Sequence, residues 1–191
     1  MIRWLIPVLL LPGILNAALA GEVQKIRVGH SDGEYKVEIS ARIHGSKDRI
    51  YQIATEPETQ TRLNHMIVES VLVAPSGNRR AGTVHRIVTR ACLLGFCFGA
   101  TLLEDRWEAS SGTIRSTFVP ELSDFKSGEA EWQIRAVDQD TSIVTFHSRF
   151  RPAFWIPPLA GPYFVKQLML GAAKETILNM EKLAAVETPR T

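Results

Sequence analysis

The longest helical pattern of the sequence lies near its end, and a helix of that length needs the rest of the chain to form an apolar surface for it to pack on. No proline interrupts the chain from Tyr163 to Val186, and a repeat of about 3.6 residues gathers apolar and small side chains on one face. A helix over about 163–185 would be roughly 34 Å long, so it needs a broad apolar surface to cover. The predicted buried face holds Val165, Met169, Ala172, Ala173, Thr176, Ile177, Met180 and Leu183, and the predicted solvent face holds Gln167, Lys174, Glu181 and Lys182.

Small side chains form the middle of the predicted buried face. Ala172, Ala173 and Thr176 follow Met169 at helical spacing. Small residues there allow either close approach of the helix to a sheet or a gap that a ligand fills. Close packing is the simpler interpretation of this observation alone. If the gap exists, Met169, Ala172, Ala173 and Thr176 are candidate ligand-binding residues.

Residues 1–20 have the three-part pattern of a secretory signal peptide. An apolar run from Trp4 to Leu15 follows Arg3, and an A-x-A cleavage site ends at Ala20. Two prolines interrupt the run, which is shorter than the ~20 apolar residues of a spanning helix, so cleavage is favoured over an uncleaved anchor. We therefore expect one mature domain, 21–191, in the periplasm or secreted from the cell.

The charge balance points to no highly charged partner. Loss of Arg3 with the signal peptide would leave 21 basic against 20 acidic side chains, and only Arg79 and Arg80 are adjacent. Such a balance demands neither nucleic acid nor a charged membrane surface. The sequence also has no metal-ligand spacing, phosphate loop, dinucleotide fingerprint or Gly-x-Ser-x-Gly motif, so we expect no metal, no cofactor and no nucleic-acid partner.

Two cysteines are present, and export would place them in an oxidising compartment. Cys92 and Cys97 would lie about 16 Å apart along one straight strand, whereas the Cα atoms of a disulfide usually lie about 4.4–6.8 Å apart. A disulfide therefore requires the chain to fold back within Leu93–Phe96, where Gly95 makes a turn easy. The alternative is a pair of buried free thiols.

Most of the remaining sequence has the pattern of antiparallel strands. From Tyr35 to Ile43 apolar and polar residues alternate, and a capping Ser46 and Pro57 each mark the start of a short helix. Consecutive strand patterns separated by turns then run from Met66 to Phe150. The sequence predicts an α+β fold in which a curved antiparallel sheet of about seven strands wraps around one long C-terminal helix, with two short helices after the early strand.

Several of these segments carry a resemblance to a known family. The chain from about Tyr35 to Ala185 resembles the SRPBCC or START-like superfamily, in particular exported bacterial members of the helix-grip branch of polyketide cyclase/dehydrase and coenzyme Q-binding proteins. The resemblance implies a helix-grip fold with a cavity for a hydrophobic ligand, and it implies no particular reaction. The segments that carry it are YQIATEPETQTRLNHMIVESVLV, ACLLGFC, SDFKSGEAEWQI and PAFWIPPLAGP.

The proline-rich segment before the long helix gains a candidate role from this resemblance. Phe154, Trp155 and Leu159 lie among four prolines, and in a helix-grip protein this loop would lie near one end of the cavity. It could act as a lid over a ligand or touch a membrane during ligand transfer. The alternative is that its aromatic side chains fill the core.

Few polar residues are candidates for the cavity interior. Trp107 and Trp132 alternate with charged neighbours and are predicted to point inward. Arg90 or His147 could hold a ligand head group or polarise a carbonyl if either faced the cavity, although an outward position is the simpler interpretation. We therefore predict an exported binding or carrier protein for a lipid, quinone or polyketide-like molecule. The alternatives are a cyclase or dehydratase acting in the same cavity and a protein-interaction module.

Overall fold

The computed structural model describes residues 22–75, 82–93 and 96–186; the expected signal peptide, 1–20, lies outside them. Within these described residues, eight strands and three helices follow one another, and a 3-10 turn at Pro120–Leu122 precedes the seventh strand. The elements are β1 (Glu22–Ser31), β2 (Glu34–His44), α1 (Lys47–Thr55), α2 (Pro57–Leu63), β3 (Ile67–Pro75), β4 (Gly82–Leu93), β5 (Phe96–Ser110), β6 (Thr113–Phe118), β7 (Phe125–Ala136), β8 (Thr141–Pro152) and α3 (Gly161–Val186).

All eight strands form one antiparallel sheet in the order β1-β2-β8-β7-β6-β5-β4-β3. The strands from β3 to β8 meander in sequence, while α1 and α2 carry the chain from β2 to the opposite edge of the sheet. The last strand, β8, therefore pairs with β2. The predicted α+β fold is confirmed, with eight strands in place of about seven.

The two short helices begin where the sequence indicated. The Ser46 hydroxyl caps α1 by accepting a hydrogen bond from the Arg49 backbone N–H at 3.3 Å, and Pro57 occupies the first turn of α2. Ile50 and Ile53 of α1 are fully buried. These helices thus close one end of the core beneath α3.

Helix α3 packs closely on the sheet along only half of its length. Between Ala173 and Ala184 its buried residues include Ile177 and Met180, which join the main core with strand residues such as Ile39. Before Ala173, Gly161 is the one buried residue of the helix. Close packing and a gap, which the sequence left as alternatives, therefore both occur, one in each half of α3.

Glu181 was predicted on the solvent face of α3, and this prediction is wrong. Its side chain is only 9% exposed. Its Oε2 accepts a hydrogen bond from the His44 backbone N–H at 2.9 Å, and its Oε1 lies 2.7 Å from the His44 Nδ1. The β1–β2 hairpin also contacts α3. The buried part of the helix surface is therefore wider than the single row of apolar side chains that the sequence predicted.

The predicted disulfide is present at the end of the β4–β5 hairpin. Cys92 and Cys97 are directly paired across the two strands, and their Cα atoms lie 4.0 Å apart. The chain folds back between Leu93 and Phe96, as the spacing required. None of the helices in the described part of the chain is both long and apolar enough to cross a membrane.

A row of polar and charged side chains crosses five strands on the outer face of the sheet. Lys25, Glu38, His147, Glu131 and Arg115 follow one another on β1, β2, β8, β7 and β6. The Lys25 Nζ lies 2.5 Å from the Glu38 Oε2, and the Arg115 Nε lies 2.5 Å from the Glu131 Oε2. Hydrogen bonding to Lys25 lowers the pKa of Glu38, and hydrogen bonding to Arg115 lowers the pKa of Glu131.

We predict that Glu181→Ala destabilises the fold by about 1–3 kcal/mol, because the part-buried His44 backbone N–H loses its acceptor. The free energy of unfolding, measured with urea, is the test. Lys182→Ala changes the neighbouring, exposed helix residue and is the matched control. An equal loss in both variants would contradict a specific role for the contact between Glu181 and His44.

We predict that Glu131→Gln lowers stability at pH 7 by less than about 1 kcal/mol, as is typical of exposed ion pairs. Because the folded-state pKa of Glu131 lies below its ordinary value of 4.5, its contribution is present above that value and is lost as the pH falls through the folded pKa. The difference between wild type and Glu131→Gln in urea unfolding should therefore shrink as the pH falls below 4.5 and through the folded-state pKa. Glu121→Gln, at an exposed residue of the 3-10 turn, is the control; a difference that persists at acid pH would contradict this account.

Candidate ligand-binding site

A cavity of about 410 Å³ lies between the first half of α3 and the inner face of the sheet. Its size falls within the range of ordinary small-molecule sites, and its walls are mainly apolar. Trp132, Met169, Ala172, Ala173 and Thr176 line it. These residues lie where the sequence analysis placed candidate ligand contacts.

Inward-facing aromatic side chains form much of the sheet wall. Trp132 of β7 and Phe146 of β8 are directly paired, and their ring centroids lie 4.5 Å apart. Phe150 lies farther along β8 and packs against Tyr35 and Phe125. Because these rings fill the space near the sheet while α3 presents alanines, the gap remains next to the helix.

The proline-rich loop after β8 forms one end of the cavity. Phe154 lines the cavity and is 46% exposed, whereas Trp155 and Leu159 are 78% and 98% exposed and do not line it. Ile156 of the same loop also lines the cavity. It packs against the start of α3 because Gly161 has no side chain: a Cβ there would lie 2.4 Å from the Ile156 Cγ2.

Besides Trp155 and Leu159, three further candidate residues do not line this cavity. Arg90 and His147 are exposed, and their strand neighbours, such as Thr89 and Phe146, face the cavity instead. Trp107 was predicted to point inward, and this prediction is wrong. The side chain of the neighbouring Arg106 of β5 faces the cavity instead. Side chains alternate between the two faces of a strand, so each of these residues lies on the opposite face.

A buried polar cluster lies at the cavity wall, and sequence reasoning missed it. Glu104 and Arg106 both line the cavity and are only 3% and 8% exposed. The Arg106 Nε donates a hydrogen bond to the Glu104 Oε1 at 2.9 Å, and its Nη2 donates to the same oxygen. His85 of β4 is paired directly with Glu104 and is 4% exposed.

The cluster leaves His85 uncharged. Burial and then the positive charge of Arg106 lower the pKa of His85 to about 4. Its Nε2 lies 2.8 Å from the Thr83 Oγ1. The imidazole is therefore neutral at ordinary pH and can act as a hydrogen-bond donor or acceptor, while the guanidinium and carboxylate neutralise each other.

The sequence did contain a signal for this cluster. Glu104, Asp105 and Arg106 are consecutive in a strand, and because alternate side chains face opposite sides, at least one of the three must point into the domain. A charged residue inside a sheet is rarely buried without a partner. The alternation thus left two options, with either Asp105 alone or Glu104 and Arg106 together inside, and only the second supplies its own partner.

Two amide side chains complete the polar part of the wall. Asn64 donates a hydrogen bond from its Nδ2 to the Thr176 Oγ1 at 3.2 Å, and Gln60 is 5% exposed and donates to the Ala54 carbonyl at 3.3 Å. Within residues 22–75, 82–93 and 96–186, no three His, Cys, Asp or Glu side chains form a group that could hold a metal ion. The cavity is thus an apolar chamber with a polar wall at β4, β5 and α2.

No protein-family model and no curated protein matches this chain, whereas solved structures resemble it closely in fold. A START superfamily protein from Mycobacterium smegmatis is 15% identical, with a TM-score of 0.63, and the alignment covers 80% of this chain and 99% of that one. Human STARD10 is 13% identical, with a TM-score of 0.56 over 82% of this chain and 73% of its own.

An aromatase/cyclase from Streptomyces also resembles the chain. It is 9% identical, with a TM-score of 0.55, and the alignment covers 79% of this chain and 91% of that enzyme. Identities this low establish shared architecture and leave the activity open. Together, these likenesses and the sheet wrapped around α3 show that the chain has the SRPBCC/START-like helix-grip fold.

Proposed function

We propose that this chain is an exported carrier that holds a lipophilic small molecule in the cavity between α3 and the sheet. The observation that supports this proposal most directly is the cavity of about 410 Å³ with its mainly apolar walls. Burial of apolar surface contributes about 25 cal/mol per Å², so a ligand that buries about 300 Å² gains several kcal/mol before ordering costs. The internal ion pair Glu104–Arg106 would orient a polar end of the ligand.

The mouth of the cavity supports transfer of the ligand at a membrane. Phe98 and Phe154 line the cavity and are 58% and 46% exposed. Trp155 and Leu159 extend the exposed apolar surface beside Phe154. Tryptophan partitions well into the interface of a bilayer, so this surface would hold the mouth against lipid while the ligand passes.

The buried polar cluster favours one second candidate, an enzyme of the cyclase or dehydratase class. Glu104 and Arg106 lie in the cavity wall and are hydrogen-bonded to each other, so a carboxylate there could act on a bound molecule as a general base. A protein-interaction module is less well supported. Such a module would fill the space between helix and sheet with its own side chains, whereas this chain leaves a cavity of about 410 Å³ there. Conversion of a bound molecule on the protein would favour the enzyme, whereas release of the same molecule unchanged would favour the carrier.

The first experiment is native mass spectrometry of the protein recovered from the compartment to which it is exported. The expected result is a chain that begins at Gly21, lacks two hydrogens because of the disulfide, and carries a discrete added mass that organic solvent extracts as a lipid, quinone or polyketide-like molecule. A retained Met1–Ala20 segment would contradict export with cleavage. A bare mass together with no uptake of added lipids would contradict the carrier.

We predict that Ala172→Trp abolishes ligand uptake and leaves the fold intact. Ala172 lines the cavity and is only half-buried, so an indole there would occupy the chamber, whereas Ala173 also packs into the core. Binding of a fluorescent lipophilic probe and the circular dichroism spectrum are the measurements. Lys174→Trp, on the exposed side of α3, should bind the probe normally; equal binding by both variants would show that the ligand site lies elsewhere.

We predict that Trp155→Ser slows ligand transfer between vesicles severalfold with little change in affinity, because Trp155 is 78% exposed and does not line the cavity. The control is Val137→Ser, a 44% exposed residue beyond the end of β7, at the opposite end of that strand from Phe125. Transfer between labelled vesicles and equilibrium binding are measured for both variants. If Trp155→Ser and Val137→Ser transfer the ligand at equal rates, Trp155 does not contribute to membrane contact.

A further inference from the structure

The β4–β5 hairpin extends beyond both of its neighbours in the sheet. Within the described residues, the chain before and along β3 bonds to the backbone of β4 only as far as Arg90. On the other side, β6 and the chain before β7 bond to β5 only from Thr101 onward. We call the part that projects past these contacts, Ala91–Leu93 and Phe96–Gly99, the hairpin tip. Its two strands pair with each other, and no other described strand pairs with them.

The hairpin tip forms one side of the cavity mouth. Ala91 and Phe98 are directly paired across the tip, and both line the cavity. Phe98 is 58% exposed, so it lies where the cavity opens to solvent. The next pair toward the turn is Cys92 and Cys97, which are joined by the disulfide and are both exposed. Because alternate side chains of a strand face opposite sides, the disulfide lies on the outer face of the tip, away from the cavity.

In place of neighbouring strands, the backbone of the tip relies on its own pairing and on the disulfide. An isolated two-stranded hairpin is marginally stable at best in water, and local opening is easiest where few contacts oppose it. The disulfide holds the two strands together one residue from Phe98. Loss of this bond would let the tip fray and would move Phe98 away from the mouth.

We propose that the hairpin tip is a redox-controlled flap, which covers the mouth when the disulfide is closed and opens for faster ligand exchange when the disulfide is reduced. The reductant is a dithiol. One of its thiolates attacks an exposed sulfur of Cys92 or Cys97 and forms a mixed disulfide, and the displaced cysteine takes up a proton. The second thiol of the reductant then releases the other cysteine as a thiol and closes its own disulfide. Two electrons and two protons thus pass to the chain. This inference rests on the proposed carrier function and adds its regulation.

Reduction without unfolding is the first test. The full mature chain is treated with dithiothreitol in the absence of denaturant, alkylated with iodoacetamide and weighed by mass spectrometry. Because both cysteines are exposed, we expect two carbamidomethyl groups on each chain and an unchanged circular dichroism spectrum. A disulfide that is reduced only after denaturation would contradict the flap.

The rate of ligand exchange is the second test. Binding and release of the fluorescent probe N-phenyl-1-naphthylamine are followed by stopped flow, with the chain oxidised and with the chain kept reduced by dithiothreitol. Reduction should accelerate both steps about tenfold, a factor that corresponds to about 1.4 kcal/mol. The Kd should stay nearly the same, because a flap changes access to the cavity and leaves its apolar walls in place. Equal rates in the two states, or faster release without faster binding, would overturn the flap and leave the carrier. Failure of both states to bind the probe would overturn the carrier and the flap with it.

The double variant Cys92→Ser/Cys97→Ser separates the disulfide from other effects of the reductant. It cannot form the bond, so it should exchange the probe as fast as reduced wild type, with or without dithiothreitol. Slow exchange like that of oxidised wild type, or a rate that still depends on dithiothreitol, would contradict the proposal. If the variant does not fold, as judged by its circular dichroism spectrum, the alkylated wild-type chain of the first test provides the same comparison.

Phe98→Ala tests the side chain that covers the mouth. It removes the ring and leaves the disulfide in place, so the oxidised variant should already exchange the probe at about the rate of reduced wild type, and reduction should add little. Val71→Ala alters an exposed apolar residue of β3 that does not line the cavity and should keep the full redox dependence. If Phe98→Ala also keeps that dependence, the proposal is wrong.

Discussion

The structure depends on how one helix covers a curved sheet of eight strands. A single helix is about 10 Å wide, too narrow to fill the whole concave face of such a sheet. Helix α3 meets this constraint by packing tightly through Ile177 and Met180 in its second half and by presenting Ala172 to open space in its first half. Core and cavity are thus two parts of the same helix–sheet interface, which is why the fold stays stable around a chamber of about 410 Å³.

Contacts at the sides of α3 compensate for its incomplete packing. Both oxygens of Glu181 contact His44, and both oxygens of Glu175 contact His65 in the same way, through the backbone N–H and the ring Nδ1. The two carboxylates lie six residues apart on α3 and tie it to segments on different sides of the helix. These contacts fix the position of the helix without filling the cavity.

The sequence predicted most of the fold because the fold rests on local patterns. Alternation, the caps at Ser46 and Pro57, and the uninterrupted helix after Gly161 each specify an element without knowledge of its neighbours. The site was predicted only in part: Met169 and Trp132 line the cavity, but Arg90 and Trp107 do not. Which face of a strand points inward depends on bulges and on pairing across strands, and these are properties of the assembled sheet.

The mouth of the cavity is stiff on two sides and loosely packed on the third. The disulfide fixes the β4–β5 hairpin next to the cavity residues Ala91 and Phe98, and prolines restrict the loop that carries Phe154. The first turns of α3 form the third side, where few side chains are buried. Because local opening is easiest where little apolar surface is buried, exchange of a ligand would require less disruption at the start of α3 than at either stiff side.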